Sequence, residues 1–409
     1  MSIVERGPVV QDLAAELLAR TPELARGMAD HLYATIPELA ATEDGELMTD
    51  LVASAEANLR QVLWALKRGA GVDELRLPPE AAAFMRANVR RGIPLPAELR
   101  AYRLGHAWLW DRWARALQER IADPEELIAA HEMSSACIFA YIDRISDQLV
   151  EEYGTERERM MRGAAQLRAE TVRAILAREP LDEETLPGRL GYDVRRWHVA
   201  MRLASGTSEV RGLERAVREA AAALGPGEPL IVPSGAASLD VWTGAYEPAD
   251  TRALARYEPP DGVRVAFGRP ARGLDGFRRS HREAVQAARV ATLAGSAGEA
   301  VVDYARVELV SLLACDLPRA REFVASRLGP LAAPGEPTQR LRETLRVFLA
   351  LGGRSARAAK ELYVHQNTVA YRIKRAEELL GRRVTEDPVE LICALTLADT
   401  LGPAVLAQP

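Results

Sequence analysis

SARAAKELYVHQNTVAYRIKRAEELLG, residues 355 to 381, is the stretch whose reading decides the fold. It reads as two short helices joined by a tight turn, inside a longer segment from Thr338 to Leu401. Ser355 is placed to cap the first helix, its hydroxyl accepting one of the unpaired first-turn N–H groups. Ala358, Ala359 and Leu362 form a small apolar face, suited to close packing of one helix on another. Val364-His365-Gln366 make the turn, and Asn367 or Thr368 can cap the second helix. In that helix Val369, Ile373, Ala376 and Leu380 form one apolar stripe at helical spacing. Gly381 follows where a left-handed C-terminal residue is expected.

The opposite face carries the information. At about 100° per residue, Asn367, Tyr371, Lys374 and Arg375 point away from the stripe, with Thr368 and Arg372 flanking and His365 and Gln366 leading in. A helix that reads the major groove needs these residue types. Asn pairs with adenine edges, Arg or Lys with guanine or phosphate, and Thr meets thymine methyl groups. A helix N-terminus also favours a phosphate. Arg354, Ser355, Arg357 and Lys360, on and before the preceding helix, are placed to grip the DNA backbone, which positions without reading sequence.

These residues also carry a resemblance. His365-Gln366-Asn367-Thr368-Val369-Ala370-Tyr371-Arg372, with Glu378-Leu379-Leu380-Gly381 and Asp387-Pro388, resembles the C-terminal helix-turn-helix of the PucR/CdaR regulators. The pattern departs from the family at Gln366, where Arg is frequent, and at Arg354, where Asn commonly follows the paired glycines. The resemblance implies a DNA-binding role and two completing helices, Thr338 to Leu351 and Pro388 to Leu401. Leu341, Leu345, Phe348 and Leu349 supply the apolar face of the first, and Asp387-Pro388 is a good start for the second.

Outward from this segment, 409 residues are too many for one ordinary domain. Lys and Arg number 53 against 58 Asp and Glu, a formal charge of -5, which excludes a general polycation. Any nucleic-acid contact must therefore come from a local patch such as Arg340 to Arg383. Cys137, Cys315 and Cys393 lack metal or redox spacing and read as reduced core thiols. No signal-peptide pattern and no membrane-spanning apolar run are evident, so a cytoplasmic protein is expected. The scattered histidines form neither a zinc site nor a nucleophile–base pair. No enzyme and no cofactor is expected.

Residues 1–150 read as an all-helical sensor or partner-binding domain. Leu13, Leu17, Leu24, Met28 and Leu32 recur at helical spacing, with Thr21-Pro22 separating two helices; Leu51, Ala55, Leu59, Val62, Leu63 and Leu66 follow, closed by Arg68-Gly69. After Pro96, Tyr102, His106, Trp110, Trp113 and Leu117 share one broad face, with Trp108 elsewhere. This stripe suits either a pocket for a small aromatic effector or the domain's own core. A single His on such a face is no haem-site signature. Arg90-Arg91-Gly92-Ile93-Pro94-Leu95-Pro96 through Tyr102-Arg103 resembles the RsbR/RsbT-antagonist type of helical N-terminal domain, over roughly residues 10 to 150. That type is globin-like and lacks haem. Residues 151–180 read as a connector helix, with an imperfect heptad seam of Leu149, Tyr153, Met160, Leu167, Thr171 and Ala174. Such a seam fits either a dimer contact or a solvated helix.

Residues 186–295 change pattern. Trp197–Leu203, Leu230–Pro233, Leu239–Thr243 and Val263–Gly268 read as strands. Helices are expected over Ser208–Leu224, Thr251–Tyr257 and Phe277–Leu293, with Gly295-Ser296-Ala297-Gly298 as a break. The order favours an antiparallel sheet with helices on one side. Val263–Gly268, Gly273-Leu274 and Ser280-His281-Arg282-Glu283-Ala284 resemble the GGDEF-like domain of the same regulators. In the hairpin where cyclases carry their metal-binding acids, only Asp240 is acidic. Two-metal chemistry requires convergent carboxylates, so the resemblance implies the fold and not the activity. Residues 296–337 read as two helices, Tyr304–Leu313 and Arg319–Leu328, and a Pro/Gly linker from Gly329 to Pro337 that leaves the last domain free to reorient. Residues 338–409 are the helix-turn-helix domain.

The expected fold is thus multidomain α and α/β: an all-helical N-terminal domain, a GGDEF-like α/β sandwich and a C-terminal helix-turn-helix bundle. The expected function is a sequence-specific bacterial transcriptional regulator of metabolism or development, controlled by a small-molecule effector or regulatory protein. Its expected partners are a double-stranded DNA operator and its own copy, as a homodimer or higher oligomer. The alternative is a partner-switch signalling protein, RsbR-like, acting chiefly through protein–protein contacts.

Overall fold

A computed structural model describes residues 8–406, apart from 43, 70–74, 207–209, 296–297 and 387. It divides into two compact units, residues 1–164 and 165–409.

The first unit is helical: α1 (Pro8–Ala19), α2 (Thr21–Thr35), α3 (Pro37–Ala40), α4 (Leu47–Arg68), α5 (Pro79–Arg90), α6 (Leu95–Arg120) and α7 (Pro124–Leu176), the last continuing into the second unit. The expected stripes are its core. Leu13, Leu17, Met28, Leu32, Leu51, Leu59 and Leu63 are buried together. Gly69 closes α4 in the left-handed region, with φ 59°. The heptad seam divides along α7. Leu149 and Tyr153 pack with Met85 and Val89 in the first unit. Thr171, Val172 and Ile175 are buried, the last two against Leu186 and Leu190. Met160 and Leu167 stand exposed between them. Half of the imperfect seam, Leu149, Tyr153 and Thr171, is thus taken up in the cores on either side, and its middle, Met160 and Leu167, is left to solvent.

The second unit continues with α8 (Leu186–Leu190), β1 (Trp197–Ser205), α9 (Val210–Ala222), β2 (Leu230–Gly235), β3 (Ser238–Ala245), α10 (Arg252–Ala255), β4 (Val263–Phe267), β5 (Ala271–Arg272), α11 (Gly273–Ala294) and β6 (Val301–Asp303). The expected start of α9 at Ser208 and the 296–297 part of the glycine break lie outside the described residues. The strands run β2-β3-β1-β4-β6, with β5 pairing β1. The β2–β3 hairpin is antiparallel, as its spacing implied.

Two expectations about this domain are corrected. The three-residue β6, too short to show a period, pairs parallel with β4. The helices also lie on both faces of the sheet. Val199, Met201 and Leu203 of β1 pack with Leu213, Ala216 and Val217 of α9. Ala200 packs in a separate cluster with Trp242, Phe277 and Ala284, toward α11. A strand buried on both sides needs apolar residues on both faces, and Val199, Ala200, Met201 and Leu203 of β1 supply them. Gly268 permits the approach of α11, since a Cβ there would lie 2.1 Å from the Ser280 carbonyl oxygen.

The chain ends in α12 (Tyr304–Leu313), α13 (Leu317–Leu328), a 3₁₀ turn (Gly329–Ala332), α14 (Glu336–Ala350), α15 (Ser355–Glu361), α16 (Gln366–Leu380) and α17 (Pro388–Leu401). The Asp387 part of the expected α17 start lies outside the described residues. Val310, Val324, Leu328, Leu331, Leu345, Val369, Ile373, Leu391 and Leu395 share one core. The free Pro/Gly linker is thereby corrected. Leu331 and Ala332 are fully and almost fully buried. The Arg342 guanidinium donates to the Leu331 carbonyl at 2.6 Å and the Ala333 carbonyl at 3.0 Å. Proline and glycine set the backbone's course, but the apolar residues between them decide where it packs. Cys315, expected in a core, is exposed.

Arg342→Ala should leave those carbonyls without their donor, at a cost of about 1–3 kcal/mol. Faster proteolysis between Pro330 and Pro337 and a lower melting temperature would show it; an unchanged melt would mean that Leu331 alone anchors the segment.

Candidate nucleic-acid interface

The turn into α16 is built from backbone geometry first. Val364 N–H donates to the Ala359 carbonyl at 3.0 Å and Tyr363 N–H to Lys360 at 3.4 Å. This pair of bonds is the Schellman arrangement, which closes α15 with a left-handed residue. Tyr363 holds that position, with φ 55°, where glycine is usual. Its side chain is 96% exposed, so no packing offsets the strain. Upstream, Gly352 and Gly353 both have positive φ, 70° and 77°, and turn the chain from α14 to α15.

Two expected caps move by one to three residues. Arg354 occupies the N-cap position of α15, without a side-chain cap bond, and Ser355 is the first helical residue. At α16 the cap is His365, whose Nδ1 accepts from Asn367 N–H at 3.2 Å. Asn367 and Thr368 therefore lie within the helix, and Asn367 keeps its side chain for other partners. Gly381 ends α16 in the left-handed region, φ 67°.

The helix face divides as its periodicity requires. Val369, Ile373 and Ala376 are buried, while Gln366, Asn367, Tyr371, Lys374 and Arg375 are exposed and Thr368 is half-buried. Among the described residues no acid pairs with Arg354, Arg357, Lys360 or Lys374. Arg375 reaches Glu378 at 2.8 Å, an exposed pair of small net value that a DNA contact can replace. Arg372 differs from the others: half-buried, it donates to Thr344 Oγ1 on α14 at 3.2 Å. It ties α16 to α14 within the bundle. Tyr363 is the exposed residue that the sequence reading missed; its only signal was an aromatic where a turn favours glycine.

In the helical unit the Tyr102–His106–Trp110–Trp113 stripe splits. Tyr102 and His106 line a cavity of about 70 Å³ with Asn58, Glu98, Leu109 and Tyr141 among its walls. Trp113 is fully buried core, and Trp110 stands edge-on to His131, 5.6 Å between ring centres. Neither is among the residues lining the cavity. A 3.6-residue repeat distributes a long stripe over several neighbours, which spacing alone does not distinguish. Tyr141 O–H donates to Asn58 Oδ1 at 2.9 Å, and Asn58 Nδ2 lies 3.4 Å from the Tyr102 hydroxyl. Glu98, 2% exposed, accepts from Asn88 Nδ2 at 2.6 Å. Burial pushes its carboxyl up, against the Asn88 bond, to about 7. Burial likewise raises the Tyr102 phenol and lowers His106, whose buried Nδ1 has no hydrogen-bond partner. Glu98 escaped the sequence reading because an acid in a first helical turn is ordinary.

In the middle domain Asp240 is fully engaged. Arg202, its partner across β1 and β3, grips both carboxylate oxygens at 2.7 Å, and His281 Nε2 lies 2.9 Å from Oδ2. Among the described residues no group of three or more His, Cys, Asp or Glu is placed to hold a metal. Among those residues, too, no helix is long and apolar enough to cross a membrane.

Three family models match the chain. They are the RsbT co-antagonist protein rsbRD N-terminal domain over residues 22–168, the GGDEF-like domain over 186–290, and the PucR C-terminal helix-turn-helix domain over 341–398. The purine catabolism regulatory protein of Bacillus subtilis is 38% identical over 77 residues, 19% of this chain and 14% of that one. The transcriptional activator PmfR of Paenarthrobacter nicotinovorans is 31% identical over 156 residues, 38% of this chain and 32% of that one. The chain thus spans a third or less of either relative's length. The crystal structure of a regulator of polyketide synthase expression from Bifidobacterium adolescentis aligns at 24% identity over 57% of this chain and 92% of that one. Its TM-score of 0.30 is too low to bear on the fold. By its three matched domains, in this order, the chain belongs to the PucR/CdaR-type transcriptional regulators, with an rsbRD-type domain in front.

Proposed function

We propose that this chain binds a specific double-stranded DNA operator as a homodimer or higher oligomer, and that an effector or partner acting on its helical domain sets that binding. The observation that carries the reading is α16. Its buried Val369–Ile373–Ala376 stripe holds it in the bundle while Asn367, Tyr371, Lys374 and Arg375 remain exposed on it. In this reading Asn367, Thr368, Tyr371, Lys374 and Arg375 face base edges, with His365, Gln366 and Tyr363 at the entrance to the groove. Arg354, Ser355, Arg357 and Lys360 contact phosphates, and Arg372 positions α16 through Thr344. One short helix reads few base pairs, so two half-sites on a symmetric dimer supply the remaining specificity. The names of the relatives, a purine catabolism regulator and a transcriptional activator, support regulation of metabolism.

Recovery of bound genomic fragments would identify the operator, and variants would then sort the contacts. Asn367→Ala and Arg375→Ala should each lose about 1–3 kcal/mol of discrimination at one base pair, with unchanged melting temperatures. Arg357→Ala and Lys360→Ala should weaken operator and scrambled DNA alike and reduce the salt slope by about one. Arg372→Ala should lower the melting temperature instead. Full operator affinity in the Asn367, Tyr371 and Arg375 variants would remove α16 from the groove.

A second reading, a partner-switch protein, is favoured by the rsbRD match and by Ile128 and Phe139, exposed on α7. It predicts no enriched genomic sites for the folded protein.

A further inference from the structure

We propose that the cavity of the helical unit is a binding site for a small protonated amine, with the Glu98 carboxylate as its counter-charge and Tyr102 and His106 as its other polar contacts. As the identity of an effector, the proposal rests on the effector control proposed above.

The lining decides the charge of the occupant. Glu98 is the single ionised-acid candidate in it, and neither Lys nor Arg is present to receive an anion. Glu98 is almost fully buried, and Asn88 supplies its one described hydrogen bond, so most of its acceptor capacity is unused. A buried carboxylate without a counter-charge is costly, and a cation beside it removes that cost. The rings of Phe84, Tyr102 and Tyr141 also line the cavity, and aromatic faces attract desolvated cations. The acceptors match as well. Tyr102 oxygen accepts one bond from Asn58 and keeps a second lone pair for an ammonium proton. His106 Nδ1 is buried and unpartnered beside the same space. Met28, Leu32, Leu59 and Ile138 give the cavity apolar walls that suit a short alkyl group, and Ser54 is a further polar residue in the lining.

The volume sets the size. About 70 Å³ is about half of an apolar cavity that takes benzene. Methylammonium and ethylammonium fit this description; benzylammonium does not.

Binding such a cation ionises Glu98, and its carboxyl proton leaves to solvent. The groups that face Glu98 and share this equilibrium are Tyr102, Tyr141 and His106 across the cavity. Behind Asn88 stands Arg91, itself paired with Asp44 and Asp50.

The test uses the full chain near pH 7. Methylammonium and ethylammonium should raise the melting temperature saturably, while methanol, ethanol, acetate and benzylammonium should not. Calorimetry in buffers of different ionisation enthalpy should show proton release with the amines. Glu98→Gln, which keeps an oxygen for Asn88, should fold and lose at least tenfold in amine affinity; Tyr102→Phe should lose several-fold. Absence of saturable amine binding, equal binding of ethanol, or full affinity in a folded Glu98→Gln would each overturn the proposal. Operator affinity separates this from the wider reading. If amines bind through Glu98 but leave operator affinity unchanged, the site stands and its role as effector seat falls. If amines do not bind, yet Ala55→Leu, placed to fill the cavity, changes operator affinity, the ligand class is wrong and effector control stands.

Discussion

Replacing Asp240 by alanine is expected to destabilise the middle domain by about 3 kcal/mol or more, because breaking a buried pair strands its partner. Two partners are stranded here. Arg202 loses a two-pronged grip and His281 loses its acceptor, between the sheet and α11. Trp242, on which both His281 and Phe277 stack, lies in the same layer, at ring distances of 5.0 and 4.4 Å. The loss should therefore spread to the packing of α11. Burial opposes ionisation of Asp240, but the hydrogen bonds from His281 and Arg202 outweigh it and hold the carboxyl below its ordinary range. A depressed carboxyl contributes stability above the ordinary aspartate range and loses it as pH falls through the folded value. The gap between wild type and Asp240→Ala should thus be full at pH 7 and shrink in acid. Urea unfolding at both pH values checks it. A stable Asp240→Ala at pH 7 would mean that the cluster is incidental to the fold.

The second large effect runs the other way with pH. Glu98 has its folded value raised to about 7 from an ordinary 4.5. A raised carboxyl favours the fold below the ordinary value, and this contribution is lost as pH rises to about 7. At pH 8 the wild-type protein carries a buried ionised carboxylate, a penalty of about 3 kcal/mol by that difference. Glu98→Gln, neutral at every pH and able to keep the Asn88 bond, should be more stable than wild type by about that amount at pH 8. The two proteins should be nearly equal near pH 4.5. Chemical unfolding of both proteins at these two pH values measures the difference. A wild type no less stable than the variant at pH 8 would place water or a counter-charge at the carboxyl and remove the penalty.

Periodicity made the helices of the first unit legible. Leu51, Ala55, Leu59, Val62, Leu63 and Leu66 mark one face of α4, and Gly69 ends it as expected. The stripe of α16 was legible for the same reason, and with it the exposed face that carries Asn367, Tyr371 and Arg375. The caps were less so. Ser, Asn and Thr are the usual cap residues, yet His365 takes the position before α16 because the Schellman turn through Tyr363 delivers its ring, not Asn367, to the free N–H.

Local pattern by itself determined where the helices and longer strands lie, which faces are apolar, and that the helix-turn-helix bears an unburied polar face. Those properties depend on neighbours within a few positions, and a repeat of 3.6 or 2 residues exposes them. Tertiary structure alone decided three further matters. It assigned Asp240 to Arg202 and His281 rather than to a metal, folded Leu331 and Ala332 into the C-terminal core, and enclosed Glu98, Tyr102 and His106 around one cavity while sending Trp110 and Trp113 elsewhere. Each joins residues from separate elements, and Asp240 pairs with a residue 38 positions away. Whether a polar side chain is satisfied, stranded or open to a ligand depends on partners that only the assembled fold brings within hydrogen-bond reach.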